Sequence, residues 1–313
     1  MNSWHFHYCS KTDIGKKRKQ NEDYLAAYSL PIGMLFLVSD GMGGHVGGQM
    51  AATMTVETVK DEFKIANEAS SIEALIRFSF QKADDAVKIF TAKHRELQGM
   101  GTTLLLGLFR DKTLYVGSVG DSRLYRIRNR HCELLTKDHS LVQELIDSGI
   151  IAEHEADFHP HRNVITHAIG ANNPSPDFYQ FEVEENDIYV FCTDGLSQYV
   201  QEVELSAIIN HTTIEDATNQ LIALANDKGG SDNITVHVVQ VGIQSVDNAK
   251  VQIDYEVPVE SKGTTSMYSY ILYAISFVIL VVLLVWIYIQ VSSHSISENM
   301  QMFRNTFFSR LVT

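Results

Sequence analysis

Cysteine is scarce in this chain: Cys9, Cys132 and Cys192 are the only three in 313 residues. Their number is odd and no two share a paired or ligand-like spacing. That excludes a disulfide framework and a cysteine-based zinc module, and it points to a reducing compartment. Cys192 lies inside an apolar run and reads as a small core hydrophobe. Basic residues are also few, 25 Lys and Arg against 38 Asp and Glu, for a net charge of −13. A protein that grips a phosphate backbone needs a basic face, so nucleic acid is excluded as the main partner. The first residues, Met1 to His7, lack the basic n-region and long apolar stretch of a signal peptide. No internal repeat is visible.

A long hydrophobic run is missing until residue 271. There Ile271 to Ile289 spans nineteen residues without a charge, rich in Leu, Val and Ile. As a helix it would reach roughly 28 Å, close to the hydrocarbon thickness of a bilayer. Tyr268, Tyr270, Trp286 and Tyr288 stand toward its ends, as in an interfacial aromatic belt. The run predicts one transmembrane helix over 267–291. Polar, acidic residues 243–266 before it read as a linker, and 292–313 as a short tail.

What the chain does have is a set of apolar runs, each bordered by carboxylates. Met34 to Val38 is five apolar residues without alternation, as in a strand buried on both faces, and it leads to Asp40-Gly41. Ile188 to Cys192 repeats the design before Asp194-Gly195. Asp232 just precedes the run Ile234 to Val241, and Glu22-Asp23 precedes Tyr24 to Leu30. Helices are expected from about Ala51 to Phe63 and from a Ser70-x-x-Glu73 capping box through Phe90. Short runs at 102–109, 113–119, 124–127 and 132–135 predict an antiparallel meander. A short helix over Leu141–Ile146 is followed by a polar stretch, Ile150 to Asn173, which reads as a surface insertion over a site. Strands at 178–183 and 188–191, helices near 203–209 and from a Thr212-x-x-Glu215 box to Asp227, and a last strand at 234–241 complete the pattern. These elements imply an α+β domain over 1–242, a pair of sheets flanked by helices.

Glu22, Asp40, Asp194 and Asp232 are hard oxygen donors with no Cys or His cluster beside them, a set that suits Mg²⁺ or Mn²⁺ rather than Zn²⁺. Four carboxylates from distant segments could not converge without cations, because repulsion and desolvation oppose it. Two divalent ions sharing a bridging carboxylate could deprotonate a water and stabilise attacking and leaving oxygens at phosphorus. An Asp-Gly after a strand is usually only a turn, so the weight lies in the joint occurrence. Arg18 could clamp a phosphate bidentately. Spacing alone leaves open that Lys16 to Lys19 is a solvated basic loop or a membrane-facing patch.

The ordered motifs Arg18-Lys19-Gln20-Asn21-Glu22-Asp23, Asp40-Gly41-Met42-Gly43-Gly44, Gly101-Thr102-Thr103, Gly120-Asp121-Ser122-Arg123, Asp138-His139-Ser140, Asp194-Gly195 and Gly230-Ser231-Asp232-Asn233 resemble the metal-dependent PPM (type 2C) protein serine/threonine phosphatases. The bacterial branch is the better match, and the likeness runs from about residue 5 to 242. It implies a β-sandwich of two antiparallel sheets flanked by helix pairs, with a binuclear Mn²⁺ or Mg²⁺ centre at one end. On the matched positions Asp40 would bridge the metals. Asp194 and Asp232 would ligate the first, and Glu22 and the Gly41 carbonyl the second, with Asp23 holding a water beside them. Asp121, with Asp194, would supply the third metal site described for bacterial members. Arg18 would bind the substrate phosphate, and residues 139–172 would form a flap beside the cleft.

The resemblance implies hydrolysis of phosphoserine and phosphothreonine in proteins by a metal-activated water, without a phosphoenzyme. Many eukaryotic relatives have a His directly after the metal-binding Asp-Gly; here Met42 stands there, and His45 follows three residues on. The proton for the leaving alkoxide would come from His45 or from water on the third metal. The expected partners are phosphoproteins, substrates of a serine/threonine kinase. The expected location is the inner cell membrane, single-pass, with the catalytic domain cytoplasmic. The flanking charges, Lys262 on one side and Arg304 and Arg310 on the other, decide little.

Overall fold

The unbroken apolar runs become central strands of two antiparallel sheets in the computed structural model, which describes residues 4–44, 46–67, 69–171 and 174–243. In the first sheet β1 (Trp4–Asp13), β11 (Ile234–Ile243), β10 (Ile188–Cys192), β7 (Arg123–Arg128) and β8 (His131–Leu134) lie side by side in that order. The second holds β2 (Asp23–Leu30), β3 (Gly33–Met42), β5 (Leu104–Arg110), β6 (Thr113–Val119) and β9 (Asp177–Glu182). The two-residue β4 (Gly101–Thr102) pairs with the end of β3.

The sheets pack face to face through Phe36, Val38, Leu105, Leu114 and Val116 on one side and Leu124, Phe191, Val239 and Val241 on the other. The rings of Phe36 and Phe191 stack across this layer with centroids 5.8 Å apart. Alternate residues of β3, Leu35 and Leu37, point the other way, into the core under α1 (Val46–Ile65) and α2 (Ile72–Lys93). That is why β3 shows no polar alternation: helices cover the face its partner sheet does not. On the outer face of the first sheet, α4 (Asp194–Ser197), α5 (Glu202–His211) and α6 (Ile214–Asp227) pack over Val190, Cys192, Val236 and Val238. The α+β sandwich of two antiparallel sheets with flanking helices is therefore as expected. The described residues all lie within one unit, bounded by Met1 and Asp247.

Three local expectations are corrected. The run 102–135 is not one meander: β5 pairs with β6 and β7 with β8, but β6 and β7 belong to different sheets. The chain crosses between them at Gly120, whose φ of 104° suits glycine. The helix caps are each one residue later than expected: Ser71 caps α2 by accepting from the Ala74 N–H, and Thr213 caps α6 by accepting from Asp216. Finally, β3 does not stop before Asp40 but runs on to Met42, so Asp40 and Gly41 are held in a ladder rather than in a turn.

The insertion leaves β8 through α3 (Leu141–Asp147) and a 3-10 turn over Glu153–Phe158 and re-enters the sheet at β9. Of the predicted linker over 243–266, Ile243 instead ends β11; the rest of the linker, the transmembrane span over 267–291 and the tail over 292–313 lie outside the described residues. Among the described residues, no helix is long and apolar enough to cross a membrane.

Candidate active site and metal centre

The antiparallel register of β2 and β3 sets Asp23 directly beside Asp40. Asp40 is fixed by its backbone. Its N–H donates to Thr103 Oγ1 at 2.9 Å, and its carbonyl accepts from the Thr103 N–H at 2.9 Å and from Thr102 Oγ1 at 2.8 Å. The Thr103 hydroxyl also meets Ser122 Oγ at 2.9 Å, which ties Asp40 to the loop that carries Asp121. Arg123 holds the other side of that loop through a forked ion pair with Asp138, at 2.7 to 3.1 Å.

Asp194 starts α4 at the end of β10, and Asp232 lies in the loop entering β11; those strands are adjacent. Thr193 donates to Asp23 Oδ2 at 2.9 Å, so the neighbour of Asp194 in one sheet steadies a carboxylate of the other. Close backbone approach is built in by glycine. A Cβ on Gly48 would stand 2.1 Å from Glu22 Oε2 and 2.7 Å from the Gly41 carbonyl oxygen. Only a residue without a side chain lets the start of α1 sit there.

The electrostatics are those of crowded acids. Desolvation, followed by repulsion from Asp23, Asp194, Asp121 and Asp232, holds Asp40 well above the usual carboxylate range. Asp121, Asp23 and Asp194 are raised for the same reasons, desolvation first. Asp23 Oδ1, Asp121 Oδ1 and Asp194 Oδ1 are buried and have no hydrogen-bond partner among the described residues. Orphaned buried acceptors of this kind cost free energy unless a positive group meets them. A cleft of hard oxygen donors with three lone acceptors fits small divalent cations.

Two carboxylates spend an oxygen elsewhere: Asp232 accepts from Arg18 Nη2 at 2.6 Å, and Asp194 accepts from Gln198 Nε2 at 2.5 Å. Among the described residues, no three acidic, histidine or cysteine side chains stand close enough to complete a coordination shell. The acids are gathered at one end of the sandwich but not drawn onto a common point.

Arg18, expected on the substrate phosphate, stands half-exposed at the rim and is paired with Asp232. His45 lies outside the described residues. Met42 closes β3 opposite Gly101. Among the described residues, the histidines between 139 and 171 join no metal-binding group; His159 Nδ1 accepts from the His161 backbone N–H at 3.2 Å.

Asn233 was legible only as part of a motif, with no role attached. It is buried, and its amide group donates to the carbonyls of Ile14 at 3.0 Å and Gln20 at 2.9 Å, while its oxygen accepts from the Glu22 N–H at 2.8 Å. It thus clasps both ends of the Arg18 loop and the backbone of Glu22. His139 plays a comparable part for Asp121: its N–H donates to the Gly120 carbonyl at 2.9 Å, and its ring accepts from the Gly120 N–H at 3.3 Å.

Comparison with known proteins places this arrangement. The family model for protein phosphatase 2C matches residues 15–235. The serine/threonine phosphatase stp of Listeria monocytogenes is 33% identical over 236 residues, covering 74% of this chain and 94% of that one. The structure of the S. agalactiae serine/threonine phosphatase superposes with a TM-score of 0.72 at 33% identity, over 77% of this chain and 100% of that chain. The catalytic domain of the phosphatase PstP, solved in complex with two manganese ions, does so with a TM-score of 0.68 at 29% identity, over 77% of this chain and 100% of that one. With the sandwich, the acidic cleft and the matched span in agreement, this chain belongs to the protein phosphatase 2C family of metal-dependent serine/threonine phosphatases.

Proposed function

We propose that the chain removes phosphate from phosphoserine and phosphothreonine side chains of proteins at this acidic cleft. Asp40 would bridge two cations, Asp194 and Asp232 would ligate one, and Glu22 with the Gly41 carbonyl the other. Asp23 would orient a water, and Asp121 with Asp194 would hold a third ion. The observation that carries the reading is the gathering of buried acids with three orphaned carboxylate oxygens at the end of the sandwich. Bound Mn²⁺ or Mg²⁺ supplies the charge that neutralises these acids, acidifies water and stabilises negative charge developing on phosphoryl oxygens.

The chain's own side chains do the rest. Arg18 is within reach of the acids and half-exposed, so it can exchange the Asp232 oxygen for a phosphoryl oxygen and orient the phosphate. Met42 has no proton to give, which leaves His45 or a water for the leaving alkoxide. Manganese-dependent release of phosphate from a phosphothreonine peptide tests the reading, and Asp194→Asn should lower it by about 100-fold or more. A wild-type chain with no such activity would mark a phosphoprotein-binding module on the same fold.

The chain is further read as a single-pass inner-membrane protein, with its catalytic domain cytoplasmic and close to membrane-bound kinase substrates. The support is the nineteen-residue uncharged run Ile271 to Ile289 and its aromatic flanks. Protease added to intact cells should leave the catalytic domain whole; its removal would reverse the topology.

A further inference from the structure

The flap is held mainly at its two ends. On the outgoing side, Ser140 bridges to Ile165 and the Leu141 N–H donates to the Val164 carbonyl at 2.9 Å. On the return side, Ile169 and Thr102 exchange both backbone hydrogen bonds, at 2.9 and 3.0 Å. Between the ends the flap exposes large apolar side chains, Ile150 and Phe158 among them. A segment with so little buried surface takes its position from its attachments.

One attachment comes from outside the sheets. Asp84 of α2 is 1% exposed, and its Oδ1 accepts from the Gly170 N–H at 2.8 Å. Its Oδ2 accepts from Lys88 Nζ at 2.7 Å, one helical turn on, while Lys88 itself is half-exposed. Gly170 has φ of 81°, and a Cβ there would meet Val87 Cγ1 at 2.3 Å, so the return arm lies hard against α2. Its helix neighbours Phe80, Ala83 and Val87 are apolar core residues. A carboxylate in such company is costly unless its hydrogen bonds are made, and they are made to the flap and to Lys88.

We infer that Asp84 is a positioning residue for dephosphorylation, anchoring the flap's return arm at Gly170 and so setting how the flap receives a protein substrate. The inference rests on the phosphatase reading and on residues 139–171 facing that substrate. The full chain with Mn²⁺ is assayed on a phosphothreonine peptide and on p-nitrophenyl phosphate, which is too small to need the flap. Asp84→Ala should raise KM for the peptide about tenfold while kcat for p-nitrophenyl phosphate stays within about twofold. Asp84→Asn keeps the acceptor and should restore the peptide KM. In the wild type, the Gly170 amide should exchange with deuterium as slowly as the amides of α2.

An unchanged peptide KM in Asp84→Ala overturns the inference, as does an equal loss on both substrates or failure of Asn to rescue. If Asp84→Ala does not fold, the wild-type exchange decides alone: a Gly170 amide as fast as those of Ile150 to Phe158 overturns the anchor. Absence of Mn²⁺-dependent turnover by the wild type overturns the phosphatase reading and this role together, whereas turnover without the substrate split overturns the role alone.

Discussion

At the scale of the residue, the cleft is organised less by its acids than by uncharged neighbours that fix their backbones. Asn233 uses both amide protons and its oxygen to join the Arg18 loop, at Ile14 and Gln20, to Glu22. Asn233→Ala would remove three hydrogen bonds to backbone groups and should cost about 3 kcal/mol of stability, by the usual ~1 kcal/mol per lost hydrogen bond. Denaturant melts would measure that loss. Activity on the phosphopeptide should fall by more than the folded fraction accounts for, because the loop carrying Arg18 is released. Nothing local in Ser231-Asp232-Asn233-Ile234 announces this role. The partners lie 211 to 219 residues away in sequence, and only the fold brings them together. Thr102 and Thr103, by contrast, are adjacent hydroxyl residues at a strand start, and they bond Asp40 and Ser39.

At the scale of the element, the start of α1 is the part most constrained by the site. Gly48 lets the first turn rest against Glu22 and the Gly41 carbonyl. Gly48→Ala places a methyl group on both, so it should raise the Mn²⁺ concentration for half-maximal activity about tenfold, as for other changes to a ligand's immediate support. A Mn²⁺ titration of phosphopeptide release checks this, and an unchanged midpoint would sink it.

Local periodicity is enough to place an element and its buried face. The apolar stripe of α2 and the unbroken run of β3 predicted their own burial. Caps slipped by one residue because each helix begins at a pair of hydroxyls, Ser70-Ser71 and Thr212-Thr213, and periodicity does not choose between neighbours. The supposed meander failed for a different reason: a turn looks alike whether the next strand pairs beside it or crosses to another sheet.

At the scale of the whole molecule, a buried histidine joins the two sheets. His237 of β11 donates from Nε2 to the Leu37 carbonyl of β3 at 3.1 Å, and its Nδ1 accepts from Ser10 Oγ at 2.6 Å. Burial pushes its pKa from 6.5 down to about 4. The folded state thus resists a proton that the unfolded chain accepts. The stability from neutral His237 is complete above pH 6.5, falls as pH drops, and is exhausted near pH 4. The full change corresponds to about 3 kcal/mol. The cleft acids are shifted upward and act in the opposite direction, so the measurement is a difference. Stability of the wild type minus that of His237→Gln, which keeps one donor and one acceptor, should decline between pH 6.5 and 4, and a flat difference would refute the assignment.

By itself the sequence determined the class of chemistry and the layering. Hard oxygen donors recur at the borders of apolar runs, and a run without polar alternation must be covered on both faces. Both are properties of a few adjacent residues, so they survive without a structure. Only the tertiary structure decided which sheet each short strand joins, that Arg18 faces Asp232, that Asn233 clasps the loop, and that Asp84 reaches the flap. Each of those joins segments far apart in the chain, and local sequence carries no term for a contact whose existence depends on how every intervening element packs.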